Sequence, residues 1–305
     1  MSYKAARLAQ LAAVKERPGP PGPERVIWQI TRACDLCCTP CRSQIFNRPS
    51  PAQLTPEQGL DLIDQIRRVG QPELLLTGGD PLKRPDIGTL VLYAHRLGLP
   101  VGLTLSGTPR TTPRLVGLLK AAGLEQMTFC LDGPNAEVHD GFRQVLGSFG
   151  WTLDGIRVAQ AIGLPIRVET SVTPGNLAYL DDLAALVERL GARAWQLTFG
   201  GRPERDPGGN FTAEEHATAL EKMAALQGTV NFRVRVTPAP YFAGSGSTAG
   251  CATKWQPFEL FIADDGAAER WNSGLPLGNV RRESFVEIVR RAIENSPNIE
   301  LGAAS

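Results

Sequence analysis

Four of the chain's six cysteines fall within eight positions, at Cys34, Cys37, Cys38 and Cys41, while Cys130 and Cys251 stand alone. Thiolates are soft ligands that suit iron–sulfur clusters and zinc. A disulfide framework spreads its cysteines among separate elements, so clustering on one loop points to a metal site in a reducing compartment. Three cysteines in so short a span can wrap three corners of a cubane and leave its fourth iron without a protein ligand. A fully ligated electron-transfer cluster normally takes four cysteines. An open iron is what an amino acid needs in order to chelate through its amine and carboxylate. Two spacings are possible here, Cys34-x3-Cys38-x2-Cys41 and Cys34-x2-Cys37-x3-Cys41. A structural zinc site in a binding or scaffold protein is the competing reading. Zinc knuckles, however, usually draw their ligands from two separated pairs, and no second pair or nearby histidine accompanies these thiols.

The elements that must position this loop are readable from hydrophobic patterning. Short apolar runs at 26–31, 73–77, 101–105, 126–131, 166–172 and 194–199 read as buried parallel strands. Amphipathic segments at 55–68, 86–97, 112–122, 148–162, 177–190 and 212–226 read as helices, with Pro56 behind Thr55 at one start and Gly70, Gly123, Gly163 and Gly191 at four ends. Six βα units in succession require a parallel sheet covered by helices, either a barrel or a doubly wound sheet. Beyond about residue 230 the pattern changes to strands at 231–236 and 258–263 around a Gly/Ser-rich stretch, with a helix at 284–294. This reads as a small α+β appendage without a large core of its own.

Composition narrows the partners. A formal charge of +1 gives no basic bias, which argues against a nucleic-acid ligand and against an RNA-modifying role. No run of about 18 apolar residues is present to span a membrane. Residues 1–24 lack the apolar core of a signal peptide and carry Pro18–Gly19–Pro20–Pro21–Gly22–Pro23, so they read as a stiff lead-in to a cytoplasmic protein.

Ligands of parallel α/β folds collect at the carboxyl ends of the strands. The second run ends in Thr77–Gly78–Gly79–Asp80–Pro81, where two glycines permit close backbone approach before a carboxylate. The third ends in Leu105–Ser106–Gly107. The fourth ends in Cys130–Leu131–Asp132–Gly133–Pro134, followed by His139–Asp140–Gly141–Phe142–Arg143. The fifth contains Glu169–Thr170–Ser171 and the sixth leads into Thr198–Phe199–Gly200–Gly201–Arg202.

The spacing Cys34-x3-Cys38-x2-Cys41 after a first strand resembles the radical S-adenosylmethionine (SAM) superfamily. The resemblance implies a partial (β/α)6 barrel over residues 25–228, after the 1–24 lead-in. It selects Cys34, Cys38 and Cys41 as ligands of one [4Fe–4S] cluster and leaves Cys37 as an incidental thiol. Pro40 departs from the aromatic residue usual before the last cysteine. Gly78, Gly79 and Asp80 resemble the Gly-Gly-Glu-type motif that binds the SAM amino group, with Asp80 in place of Glu. Ser106 corresponds to a polar residue near the adenosine. Residues 130–134 and 139–143 resemble a Ser-Leu-Asp-Gly and His-Asp-x-Phe-Arg pattern of peptide- and cofactor-maturing members. This implies Cys130 at a ribose-contacting serine position, Asp132 and Thr170 near the cofactor, and Arg143 on the SAM carboxylate. Cys130 is also a candidate hydrogen-atom donor, the alternative being a buried small apolar residue; His139 is structural in this pattern.

Residues 229–305 resemble a degenerate SPASM or twitch extension. Their Ser273–Gly274–Leu275–Pro276 and Gly278–Asn279–Val280 are similar to the haem-pathway branch. Cys251 alone cannot hold an auxiliary cubane, so one cluster is expected. The implied activity is reductive cleavage of SAM to a 5′-deoxyadenosyl radical that abstracts hydrogen from a substrate carbon. A flavodoxin or ferredoxin would supply electrons. The implied substrate is a peptide, a tetrapyrrole-like side chain or another natural-product intermediate.

Overall fold

A computed structural model describes residues 22–38, 41, 47–199, 211–237, 258–271 and 274–295. Residues 1–21 of the lead-in, Gly200–Arg202, the Gly/Ser-rich stretch and Cys251 lie outside the described residues, as do Pro40 and the pair Asn272–Ser273.

Strands β1 (Arg25–Gln29), β2 (Glu73–Thr77), β3 (Val101–Leu105), β4 (Gln126–Cys130), β5 (Ile166–Val172) and β6 (Ala194–Phe199) pair in chain order, each parallel to the next. Helices α1 (Pro56–Val69), α2 (Ile87–Arg96), α3 (Pro113–Ala121), α4 (Ala136–Arg143), α5 (Ser148–Ala161) and α6 (Leu180–Arg189) connect them. Alternation along β5 shows why the sheet has two unlike faces: Ile166, Val168, Thr170 and Val172 are buried, while Arg167, Glu169 and Ser171 are half-buried. The apolar face carries Trp28, Leu74, Leu103, Phe129 and Trp195 and packs on Ile63, Ile66, Leu90, Ile156 and Val187 of the helices. Helix starts follow local chemistry. Thr55 caps α1 in a reciprocal box with Gln58, and Thr112 caps α3 ahead of Pro113. No described helix is long and apolar enough to cross a membrane.

Two features were not predicted. The eight-residue α4, capped by Asn135, lies within the stretch noted only for its motif residues. The segment expected as one helix over 177–190 is a 3-10 turn at Leu177–Tyr179 followed by α6.

The described residues after 229 add to the same sheet rather than forming one of their own. Helix α7 (Ala213–Leu226) leads to β7 (Arg233–Thr237), which pairs parallel to β6. Strand β8 (Glu259–Ile262) pairs parallel to β1 at the opposite margin, with β9 (Ala267–Arg270) and β10 (Leu275–Asn279) antiparallel beyond it. Helix α8 (Phe285–Glu294) packs its apolar face, Phe285, Ile288 and Val289, into the common core.

Strands β7 and β8 thus sit at opposite ends of a run of eight parallel strands. They nevertheless meet, because Arg235 donates to Glu259 at 2.8 Å. Arg25 bridges Glu259 at 3.1 Å and Glu73 at 2.7 Å, and Arg167 reaches Glu73 from β5 at 2.9 Å. These pairs curl the ribbon into an incomplete barrel whose amino end is closed by charge rather than by backbone pairing. Glu259→Ala leaves two buried-end guanidiniums facing each other. The expected cost is about 2 to 3 kcal/mol, below the fully buried range because Arg235 is 31% exposed. It should be read as a lower urea midpoint with an unchanged slope; an unmoved midpoint would show that the bridge does not hold the barrel together.

Candidate active site

The chain leaves β1 and enters the cysteine loop alongside the loop that follows β2. Ile30 N–H donates to Thr77 at 2.8 Å, Gly79 N–H to Thr31 at 2.9 Å, and Asp80 N–H to Ala33 at 2.7 Å. Backbone pairing therefore continues past the strands, and it is too close for side chains. A Cβ on Gly78 would lie 2.7 Å from the Thr31 carbonyl oxygen. One on Gly79 would lie 2.6 Å from that of Ala33 and 2.7 Å from Cys34 Cβ. Two glycines are required because the glycine loop forms the wall of the cysteine loop.

Against this wall Cys34 is buried, Cys38 and Cys41 are half-buried and Cys37 is exposed. Cys34 Sγ accepts from Leu36 N–H at 3.4 Å, and Cys41 N–H turns back to the Cys38 carbonyl at 3.2 Å. Burial pushes the Cys34 thiol up to about 11, and Cys38 and Cys41 lie close enough to oppose its ionisation further. Ligation by this thiol therefore releases a proton when metal binds. Among the described residues no three His, Cys, Asp or Glu side chains converge on a single ion. Three thiols on one short loop, with Cys34 buried against the glycine wall and close enough to feel Cys38 and Cys41, are the soft donor set that a metal–sulfur cluster takes.

Asp80 is buried and caps the 3-10 turn Pro81–Lys83. One carboxylate oxygen accepts from Leu82 N–H at 3.0 Å and the other from Thr108 Oγ1 at 2.8 Å. Burial raises this carboxyl, and Thr108, the Leu82 N–H and Arg110 offset part of the rise. Ser106 donates to the Gly79 carbonyl at 3.1 Å, which ties the end of β3 to the glycine loop. Gly107 follows at φ +63°, where a Cβ would lie 2.1 Å from Thr152 Oγ1 on α5.

The fourth strand supplies the other side of the site. Asp132 is fully buried. It accepts from Ser171 N–H at 2.8 Å and from the Arg143 guanidinium, and its carbonyl accepts from Asn176 Nδ2 at 3.0 Å. Burial raises its carboxyl, offset first by Arg143 and then by the Ser171 N–H. Arg143, buried at the end of α4, also donates to Cys38 Sγ at 3.5 Å across 105 positions of sequence. Its Nε has no partner among the described residues. The guanidinium thus joins the cysteine loop to the aspartate of β4. His139 Nδ1 accepts from Asp132 N–H at 3.1 Å; burial, aided by Arg143, pushes this imidazole down to about 3. Cys130 ends β4 beside Arg143, and burial pushes its thiol up to about 12, with Glu169 across the sheet opposing ionisation.

Thr170 does not join this group. It is fully buried among the residues facing the helices, where its hydroxyl donates to the Leu131 carbonyl at 2.6 Å and accepts from Trp195 Nε1 at 2.8 Å. It was expected at the barrel mouth, but alternation along β5 turns it outward and gives the inward places to Glu169 and Ser171. Thr108 and Asn176 were missed by the sequence reading, whereas Ser171, named there beside Glu169 and Thr170, meets Asp132 through its backbone N–H. Thr108 had a signal in its place just past Ser106–Gly107, and Asn176 in the Thr173–Pro174–Gly175 turn before it.

An incomplete parallel barrel with grouped thiols, a glycine wall and a buried Asp–Arg pair at its carboxyl end defines a class of proteins that hold a metal–sulfur centre beside an organic ligand. A family model described as the radical SAM superfamily matches residues 28–190. The chain is 35% identical over 227 residues to the AdoMet-dependent heme synthase of Oleidesulfovibrio alaskensis, covering 73% of this chain and 58% of that protein. It is 32% identical over 232 residues to the mycofactocin maturase MftC of Mycobacterium ulcerans, covering 73% and 61%. The matched region spans about three-fifths of these relatives' length. Streptococcus suis SuiB bound to S-adenosylmethionine superposes with a TM-score of 0.67 over 95% of this chain and 70% of that one, at 12% identity, a likeness of fold. The chain belongs to the radical SAM superfamily, whose enzymes use a [4Fe–4S] cluster and SAM as cofactors.

Two outcomes follow from this geometry. Gly79→Ala should force the cysteine loop off its wall and lower iron bound per chain at least about tenfold, because a contact under 3.0 Å with backbone cannot relax cheaply. Normal iron content would show that the wall is dispensable. His139 is held below its unfolded pKa near 6.5, so between that value and about 3 the unfolded state binds more protons. Its contribution to stability is therefore lost as pH falls below about 6.5. The stability gap between wild type and His139→Gln should narrow from about pH 7 to about pH 5. A constant gap in urea melts would contradict a neutral buried imidazole.

Proposed function

We propose that this protein reductively cleaves SAM at a [4Fe–4S] cluster held by Cys34, Cys38 and Cys41 and uses the resulting radical to abstract hydrogen from a substrate carbon. The observation that carries this reading is the packing of the Gly78–Gly79 wall against Cys34, with Arg143 tying Cys38 to Asp132 from the other side. When bound, the cluster supplies the electron that splits SAM into methionine and a 5′-deoxyadenosyl radical.

The chain's own residues bind, orient and exclude water. The three thiolates hold three corners, and Cys37, pointing to solvent, is not needed. The Gly78–Gly79 backbone lets a ligand approach without side-chain obstruction. Asp80 presents a buried carboxylate for the SAM amino group while still capping its turn, since a carboxylate has about four acceptor positions. Arg143, whose Nε has no partner among the described residues, would take the SAM carboxylate, and Asp132 keeps the guanidinium oriented. Ser106 and Cys130 border the adenosine side. Cys130 is half-buried at the end of β4 and its thiol stays neutral, as a hydrogen-atom donor must. Thr170 takes no direct part and positions β4 against β5.

The division into a lead-in (1–24), a core (25–228) and a degenerate SPASM-like extension (229–305) with no second cluster belongs to the same proposal. So does a flavodoxin or ferredoxin-type reductant. A peptide or small-molecule substrate is supported by the relatives' names, one a heme synthase and one a maturase.

The test is anaerobic reconstitution. A brown protein absorbing near 400 nm that releases 5′-deoxyadenosine from SAM and dithionite is expected. Cys34→Ala, Cys38→Ala and Cys41→Ala should each lose the chromophore, and Cys37→Ala should keep it. Colourless protein with stoichiometric zinc, or loss in Cys37→Ala with retention in Cys38→Ala, would overturn the assignment.

A further inference from the structure

Beneath the glycine wall the barrel lumen holds a cavity of about 380 Å³, near the lower end of ligand pockets. Thr77 and Gly78 form its upper rim, so it lies directly under the cofactor face. Its lining is unusual for a pocket that receives an organic group. Glu169 and Gln196 are cross-strand partners on one side. Phe261 and Trp271, with ring centroids 5.4 Å apart, form an aromatic wall on the other. Thr104 faces the lumen from β3 and is 7% exposed, and its hydroxyl has no hydrogen-bond partner among the described residues. A buried hydroxyl left in this way marks a place that a ligand's polar atom completes.

The charges decide which ligand. Two arginines touch the cavity, and both are already engaged by carboxylates: Arg25 by Glu73 and Glu259, and Arg32 by Asp264 at 2.5 Å. Turning Arg32 toward a ligand carboxylate would leave the buried Asp264 without its guanidinium, and turning Arg25 would take one cation out of the Glu73–Glu259 cluster that closes the barrel, which is costly. The remaining charged groups of the lining are both acids, Glu169 and Glu269, and the neutral polar groups, Gln29, Gln196, Thr77, Thr104 and the Trp271 indole, offer donors and acceptors alike. A carboxylate can accept several bonds at once, so Glu169 serves a ligand in addition to its existing contacts. Aromatic faces add attraction for a cation. Glu169 is also the register partner of Cys130, which puts a group bound to Glu169 next to the thiol at the cofactor side.

We propose that this lumen binds a cationic aliphatic group, such as the amine- or guanidine-bearing side chain of a peptide, with Glu169 as the specificity-determining acceptor and Thr104 as a second contact. The assignment rests on the radical SAM reading above, since it takes the carboxyl end of the barrel to be the cofactor face. It excludes the carboxylate-rich edge of a tetrapyrrole from the same cavity.

The probe is agmatine, an aliphatic chain ending in guanidinium, titrated by calorimetry into the reconstituted, SAM-loaded protein. Coproporphyrin III, a tetracarboxylate macrocycle, is the counter-probe. Saturable agmatine binding is expected, weakened about tenfold by Glu169→Gln and about threefold by Thr104→Val, as for loss of a charged and a neutral hydrogen bond. Thr104→Val keeps the side chain's shape and so retains the fold if Glu169→Gln does not. No saturable agmatine binding, binding equally tight in both variants, or displacement of agmatine by coproporphyrin III would overturn the proposal. Release of 5′-deoxyadenosine by the same wild-type preparation is scored separately. Its presence with failed agmatine binding sinks the ligand class alone, and its absence sinks the radical SAM reading.

Discussion

The arrangement depends on one close approach, the backbone of Gly78–Asp80 against the backbone of Thr31–Cys34. Hydrogen bonds of 2.9 and 2.7 Å hold the two loops together, and no Cβ fits between them. Cys34, Asp80 and Ser106 are all referenced to that contact. Cys34 is buried because the glycine wall covers it. Asp80 is buried because the pairing draws it under Ala33, where Thr108 and the Leu82 N–H receive its charge. Ser106 reaches the same wall through the Gly79 carbonyl. A loop with four cysteines would otherwise be anchored only at its ends; packed this way it starts from a fixed Cys34.

A second constraint comes from the opposite flank. The Asp132–Arg143 pair is buried and would be expensive to break from either side. It survives because each member is hydrogen-bonded beyond the pair, Asp132 by the Ser171 N–H and Arg143 by Cys38 Sγ. The guanidinium thereby places positive charge next to a thiol that must ionise to bind metal. Helix α4 has only eight residues and ends at Gln144 in the left-handed region, yet it carries His139 and Arg143 on the face toward the barrel. The site is thus built from chain segments about 105 residues apart, brought together by the parallel order of β1 to β4.

Much of this was legible in the sequence. The six core strands were readable to within a residue or two, because fully buried parallel strands are continuous apolar runs with sharp Gly and Pro borders. The cysteine spacing and the Gly-Gly-Asp turn marked the site, since both are local patterns. What escaped was nonlocal or depended on which way a side chain turns. That β8 returns to β1 across more than 200 residues, and that Arg235 meets Glu259 to close the barrel, leaves no periodic trace. Thr170 was misplaced because a strand's phase cannot be set from composition when both faces carry polar residues; Trp195 and the Leu131 carbonyl fix it outward. The contact between Arg143 and Cys38 and the bare hydroxyl of Thr104 likewise became visible only in three dimensions.

The central claim is that three cysteines leave one iron of the cluster open to SAM. It is tested most directly by electron–nuclear double resonance on the dithionite-reduced protein with SAM labelled by ¹⁵N in the amino group and ¹⁷O in the carboxylate. The account predicts hyperfine coupling of both nuclei to the cluster, lost when Gly79 is replaced by alanine. A reduced cluster whose spectrum is unchanged by labelled SAM, with all four irons held by protein, would contradict it.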